Sequence, residues 1–298
     1  MMSIGNAWGV CMVKAQRILP AVMVAMMASG FSHSSDASTR TLVLGPDVAE
    51  IVAALGESDS VIGRDDTVDW PTELAELPSL GYLRQLSGES VLSLSPQRVI
   101  AAHAAGPREV LALIEASGIE LIHFDEASHL DNLDERIATI AKAYDKPLEG
   151  QMLIDEMDAR HQRAASLPPL SDLRVMFILH HGSTTPMVAG RGTLAQQLIE
   201  MLGATNAFAE MQGYRPISAE GLVPAAPDVV VLPEAGLTAL GGPDRLWQLP
   251  GLALTPAGKA HHYVTIDSSA LLGMGLRTAD ALVELHGELA ALNDDDSP

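Results

Sequence analysis

A single cysteine, Cys11, occurs in 298 residues, and it lies near the N-terminus. Past that point disulfides, thiolate metal sites and cysteine nucleophiles are excluded together, so the fold must hold by packing alone. Basic residues are also scarce: 18 Lys and Arg stand against 38 Asp and Glu, a net charge of −20, with no Lys/Arg cluster. Such a surface repels nucleic-acid phosphates and anionic lipid, and it leaves any anionic ligand to a few local arginines. Enzyme signatures are missing too: there is no G-x-S-x-G elbow, no H-E-x-x-H and no Walker A pattern. After the N-terminal region no stretch is long and apolar enough to span a bilayer.

The N-terminus carries the first positive signal. Lys14 and Arg17 precede an uncharged apolar run, Ile18 to Phe31, and small polar residues 32–38 follow it. This order reads as a cleaved secretory signal over residues 1–37. The run of ~14 residues is shorter than the ~20 that a spanning helix needs. Cys11 precedes the run rather than following it, so the chain is not expected to be a lipoprotein. Removing residues 1–37 leaves 16 basic against 37 acidic residues and no cysteine.

With 47% hydrophobic and 19% charged residues, the remainder can bury a sizeable core. Short apolar runs at Thr41–Leu44, Val61–Gly63, Arg98–Ala102 and Glu120–Phe124 alternate with helical spacing, which predicts an α/β layer with parallel strands. Leu133–Tyr144 and Leu148–Ser166 read as helices, and Pro168-Pro169 ends the second. Alternation then resumes with Val175–His180, Thr193–Leu202, Val229–Leu232, Arg245–Leu249 and Tyr263–Ile266, before a closing helix at Leu276–Leu292. Each half repeats one phrase: a short helix, a proline, then a buried strand. The copies are Ser90–Ile100, with Pro96, and Ala219–Val231, with Pro224 and Pro227. The expected organisation is an α/β fold of two Rossmann-like lobes, 40–144 and 171–292. A single long helix at 145–168 joins them, and an acidic tail follows at 293–298. Small molecules bind between such lobes.

Several residues could carry chemistry. Gly190-Arg191-Gly192-Thr193-Leu194-Ala195 matches G-x-G-x-x-A, but the acidic residue that should close the next strand is absent, so it reads as a tight turn feeding a helix. His180-His181 and His261-His262 are adjacent pairs, of which only one member can face a given site. No zinc-like spacing joins these to His103 or His123 at strand ends, and the non-ligating reading is preferred for each. Tyr82 sits in a loop between Pro78 and the helix near Val91. On its residues alone it is either an aromatic packing that loop or, with Arg84, an iron ligand. Two residues along an extended loop, Arg84 would point to the same side and could donate to an ionised phenolate, a hard anion suited to ferric iron.

Leu80-Gly81-Tyr82-Leu83-Arg84-Gln85-Leu86-Ser87 followed by Val91-Leu92-Ser93-Leu94 resembles the tyrosine loop of periplasmic haem-binding proteins. The resemblance extends over roughly 40–290. It includes His181-Gly182, Thr185-Pro186-Met187, Tyr214-Arg215-Pro216, Ser218-Ala219-Glu220 and Leu249-Pro250-Gly251-Leu252. It implies a class III periplasmic binding protein fold, a periplasmic location, and a non-enzymatic role in carrying ferric haem b to an ABC permease and its ATPase. An outer-membrane haem receptor would act upstream. By the same resemblance Tyr82 ligates the iron and Arg84 supports it. His181 is the candidate second axial ligand, and Arg191, Arg215 and Arg245 are candidates for the propionates. Glu109 and Glu220 would dock on the permease. Two other readings stay open: the same fold binding a ferric siderophore or cobalamin, and a periplasmic metal-dependent enzyme using His180, His181 or His261.

Overall fold

A computed structural model describes residues 39–125, 129–180, 185–216 and 218–295. The expected signal segment lies outside the described residues. Beyond it the chain forms one compact body. Its first lobe comprises β1 (Thr41–Leu44), α1 (Pro46–Ala54), β2 (Val61–Arg64), α2 (Thr72–Ala75), α3 (Gly88–Ser93), β3 (Arg98–Ala101), α4 (Arg108–Ala116), β4 (Glu120–His123) and α5 (Leu133–Ala143). All four strands are parallel, in the order β2-β1-β3-β4.

Successive strand residues feed opposite faces. Leu42, Leu44, Val99 and Ala101 join Val91, Val110, Leu111 and Ile114 beneath α3 and α4. Val43 and Ile100 join Val48, Ile51, Val52, Leu133, Ile137 and Ile140 beneath α1 and α5. Burial on both faces is why these strands appear in the sequence as unbroken apolar runs.

Next, α6 (Pro147–Ala165) spans 19 residues, about 28 Å at 1.5 Å per residue. Leu153, Ile154 and Met157 pack on the first lobe's core, while Ala164 packs on the second's. It lies within the 145–168 segment expected to connect the lobes and is shorter at both ends.

The second lobe contains β5 (Arg174–Leu179), β6 (Met187–Ala189), α7 (Leu194–Met201), β7 (Thr205–Asn206), β8 (Tyr214–Pro216), α8 (Ala219–Ala225), β9 (Val229–Pro233), α9 (Glu234–Leu240), α10 (Pro243–Leu246), α11 (Pro256–Ala260), β10 (Tyr263–Ile266), α12 (Ser268–Leu272) and α13 (Thr278–Asp295). Its sheet runs β10-β9-β5-β6-β8, with β7 on β5. Val175, Phe177, Val229 and Val231 face one layer of helices, and Met176, Ile178, Val230 and Leu232 face the other.

The repeated phrase is structural. After α3, Ser95 adopts φ +48°, and after α8, Ala226 adopts φ +41°, so each copy ends its helix with a left-handed turn before entering β3 or β9. The glycine-rich Gly190–Ala195 segment is indeed a turn feeding a helix: Thr193 caps α7 by accepting from the Gln196 N–H at 3.1 Å.

Two expectations change. β6 and β8 were not anticipated, and β6 pairs antiparallel with β5, because the short connection from β5 allows a hairpin but no crossover helix. The closing helix continues to Asp295, into the segment expected as a tail; residues 296–298 lie outside the described residues. Besides the connecting helix, side-chain packing ties the lobes. Leu276, in the second half of the chain, completes the first lobe's core, and Leu130 packs on the second lobe's.

Arg136 of α5 sits in this seam, 2% exposed. Its Nη1 donates to Asp47 Oδ2 at 3.2 Å, and its Nη2 donates to the carbonyls of Met274 and His129. Burial lowers its pKa from the ordinary value, against the pull of Asp47 and Glu50. Removing one member of a buried pair strands the other charge, at about 3–5 kcal/mol. Arg136→Met should therefore lower unfolding stability by that amount in urea titrations. Asp47→Leu/Arg136→Met should recover part of the loss, because the stranded carboxylate is gone.

Candidate functional site

In doubly wound sheets ligands sit outside the carboxyl ends of the strands. Here those ends of the two sheets meet. A Cβ added to Gly275 would stand 3.3 Å from Asp47 Cα, and one on Gly273 3.4 Å from Pro46 Cγ. Pro46 and Asp47 follow β1, whereas Gly273 and Gly275 follow β10 and α12. Within the first lobe, Gly45 lets the start of α1 pack on the end of β3: its φ is +124°, and a Cβ there would lie 2.6 Å from Ala102 Cβ.

A second arginine closes the junction. Arg277 Nε donates to Glu50 Oε1 at 2.8 Å, its Nη1 to Asp267 Oδ2 at 2.8 Å and its Nη2 to Ser269 Oγ at 2.8 Å. The same guanidinium lies 4.8 Å above the Trp70 ring.

Tyr82 lies on the first lobe's ligand edge, in the loop between α2 and α3. The segment before it bridges the end of β2 in parallel. The Arg64 N–H donates to the Pro78 carbonyl at 3.1 Å, the Leu80 N–H to Arg64 O at 2.8 Å, and the Asp66 N–H to Gly81 O at 3.0 Å. Gly81 then turns at φ +94°, a conformation that disfavours side chains. Leu80, Leu83 and Leu86 are buried in the first lobe's core, which leaves the Tyr82 ring 45% exposed between them. On the far side the Gly106 N–H donates to Leu83 O at 3.0 Å and the Leu86 N–H to Gly106 O at 2.9 Å. The tyrosine is thus presented by a loop stitched to the end of β2 on one side and to the loop after β3 on the other.

One local expectation fails. The stretch after Tyr82 is not extended, because Leu83–Gln85 forms a 3₁₀ turn. Residues two apart in such a turn lie ~240° around its axis. Among the described residues Tyr82 and Arg84 share no hydrogen bond, and Arg84 is exposed.

The other candidates divide by edge. Arg215 pairs with Val188, whose other neighbour is Ile178 near the end of β5, so Arg215 belongs to the ligand edge. Arg191 lies beyond β6 and bridges Gln212, level with the start of β5. Arg245 follows α9, which runs away from the end of β9. Two residues on, Trp247 stacks at 5.1 Å on His261, just before β10 begins. The fold therefore does not bring Arg191 or Arg245 to the edge that holds Tyr82. Glu109 in the first turn of α4 and Glu220 in the first turn of α8 are exposed beside the ends of β3 and β8. His181 lies outside the described residues. Its neighbour His180, at the end of β5, is 5% exposed, and its Nδ1 has no partner among the described residues.

Sequence reasoning passed over Trp70, Arg136 and Arg277. Trp70 lies in the loop between β2 and α2, one helical turn ahead of the Tyr82 loop, and carried no sequence signal of its own. Among the described residues no group of three or more His, Cys, Asp or Glu could hold a metal ion. A cavity of about 460 Å³ between β10 and α13, with Asp280, Glu284 and Glu288 on its wall, includes no residue of the Tyr82 loop.

A matched pair of doubly wound lobes with facing ligand edges defines a two-lobed binding protein. The chain belongs to the periplasmic binding protein family, whose model matches residues 42–270. Among solved structures it is similar to the apo periplasmic haem-binding protein RhuT from Roseiflexus sp. RS-1, at 36% identity and a TM-score of 0.79, covering 86% of this chain and 99% of that one. It is also similar to the periplasmic haem-binding protein BhuT in complex with two haems, at 35% identity and a TM-score of 0.78, covering 85% and 98%. The vitamin B12-binding protein of Vibrio parahaemolyticus is 22% identical over 259 residues, 86% of this chain and 91% of that protein.

The junction should respond to pH in a definite direction. Burial, only partly offset by Arg277, raises the Glu50 pKa above its ordinary 4.5. Between those two values the folded chain holds a proton that the unfolded chain has lost, so this group lowers stability as pH rises through the window. Burial also acts on Asp267, but Ser269, the Ala270 N–H and Arg277 outweigh it and hold its carboxyl below the ordinary value. Asp267 therefore adds stability that is lost as pH falls through its depressed value. Glu50→Gln should flatten the decline of the urea midpoint just above pH 4.5; an unchanged slope would refute this assignment.

Proposed function

We propose that this protein is an exported, non-enzymatic haem carrier that delivers ferric haem to an ABC-type permease and its ATPase. The observation that carries the reading is Tyr82, an exposed tyrosine held on the ligand edge by backbone hydrogen bonds on both sides of its loop. A phenolate there supplies a hard anionic ligand for ferric iron. The similarity to haem-binding proteins at 35–36% identity over most of both chains supports the same ligand. The N-terminal pattern of residues 1–37 supports export to the periplasm by a cleaved signal without lipid attachment, downstream of an outer-membrane haem receptor.

In this reading the porphyrin plate is buried between the lobes by the hydrophobic effect, with Trp70 and Tyr82 on one wall. Arg84 and Arg215, the exposed candidate cations on the ligand edges, take the propionates. His181 is the candidate second axial ligand from the other lobe. The arginines across the seam and α6 limit closure, so release requires the permease to favour an opened state of lower haem affinity.

Titration with haem tests the claim. Wild type should show a Soret band with tyrosinate character, and Tyr82→Ala should lose that character. Its affinity should fall by more than the ~10–100-fold typical of losing an outer-shell partner. Equal affinity and unchanged spectra in the two proteins would sink the assignment. A second reading, cobalamin binding, is favoured by the similarity to vitamin B12-binding proteins. It predicts cobalamin binding that is indifferent to Tyr82→Phe.

A further inference from the structure

A strand at the edge of a sheet presents a row of free N–H and C=O groups to any chain that can pair with them. Proteins blunt such edges with charge, proline, bulges or a covering segment. Four strands end the two sheet paths of this fold. β2 is bridged at Arg64 by Ser79. β4 carries Glu120 and His123, and β8 carries Arg215 and Pro216. Among the described residues β10 has none of these devices. Its sequence, Tyr263-Val264-Thr265-Ile266, is made of strong strand formers, and its register with β9 is unbroken by any bulge.

This edge opens into the cavity between β10 and α13. Val264 and Ile266 point into the layer that holds Leu282, Leu285 and Leu289 of α13, and Tyr263 points into the opposite layer. Thr265 has the parity of Tyr263, yet it lines the cavity on the α13 side, so it meets that space along its backbone edge. The hydrogen bonds agree. The His262 carbonyl accepts from the Val230 N–H at 3.1 Å. Alternate residues 264 and 266 therefore also face β9, and the backbone groups of Tyr263 and Thr265 face outward. On the opposite wall Asp280 pairs with Arg160 at 2.6 Å, and Arg277 is engaged by Glu50, Asp267 and Ser269. Glu284 and Glu288 are exposed and carry no ion pair or hydrogen bond among the described residues.

We propose that the β10 edge and the groove beside α13 form a peptide-docking site, which adds an extended basic segment of a partner protein to the second sheet. Backbone bonds to Tyr263 and Thr265 hold the segment, and lysine or arginine at alternate positions meets Glu284 and Glu288. The spacings match. Those two carboxylates stand one turn apart, ~6 Å along the helix, and alternate residues of a strand lie ~6.6 Å apart. β10 is about 13 Å long, room for about four paired residues. A second copy of this chain does not suit the groove, because it brings the same carboxylates and a net charge of −20. The site shares no residue with the Tyr82 loop and does not rest on the haem reading.

The probe is an end-blocked peptide of alternating lysine and valine, long enough to span β10. Its binding to the full mature protein is followed by fluorescence anisotropy at several salt concentrations, and exchange of the Thr265 amide hydrogen by NMR. Binding should weaken with salt and should slow exchange at Thr265. Methylating the peptide nitrogens that face β10 keeps the charge and removes the edge bonds, and should weaken binding by more than about tenfold. Glu284→Gln/Glu288→Gln should weaken it roughly fivefold and flatten the salt dependence, with haem titration as in wild type. Glu149→Gln, at an exposed carboxylate on α6, should bind the peptide like wild type. If the methylated peptide binds like its parent, or spermine competes as well as the peptide does, the groove is only a charged surface and strand addition is refuted. Absence of any peptide binding refutes it equally.

Discussion

Two arginines facing opposite ways across one seam hold the molecule in its working geometry. Arg136 reaches from the first lobe to the Met274 carbonyl of the second while pairing with Asp47 of its own. Arg277 reaches back from the second lobe to Glu50 of α1 and keeps Asp267 beside it. Buried ion pairs recover little net stability after desolvation. Their contribution here is directional, because a guanidinium fork with several fixed acceptors admits few relative positions of the elements it joins. A helix such as α6 fixes a distance between lobes but leaves a twist about its axis. The arginines remove that freedom.

A fixed seam has a consequence for ligand capture. A plate-shaped ligand entering between edges already set at their spacing meets less ordering cost than one that must draw two loose lobes together. The Tyr82 loop follows the same rule at smaller scale. Three buried leucines and two backbone hydrogen bonds to Gly106 hold a side chain that is itself half in solvent. An acidic protein has few cations with which to hold an anionic ligand, and most of those near the seam are already engaged. Arg84 and Arg215 stand exposed on the ligand edges, so small changes there bear on selectivity more than the bulk charge does.

Much of this was legible in the residues. Apolar runs such as Val175–Leu179 and Val229–Leu232 announced buried parallel strands, and the doubled helix–proline–strand phrase announced two lobes. The three-residue strands β6 and β8 were invisible because so short a segment carries no period, and an antiparallel hairpin within a parallel sheet has no local signature. Arg191 and Arg245 were plausible anion partners while only their charge was known. Strand register and the run of α9 set them at the other end of the lobe. The extended geometry expected for Tyr82 to Arg84 gave way to a 3₁₀ turn, since Leu83 is drawn into the core and turns the backbone with it.

Composition, the long apolar strands and helices, and the loop that holds Tyr82 were all determined by the sequence itself, because each depends on neighbours within about ten positions. Which charges are buried, which face the ligand and how the lobes meet were decided only in three dimensions. Arg136 and Asp47 are separated by 89 positions, and Arg277 and Glu50 by 227. No periodicity encodes a partner at that distance. A lone arginine in an amphipathic helix reads as solvated until the fold closes over it and leaves a carboxylate as its nearest company.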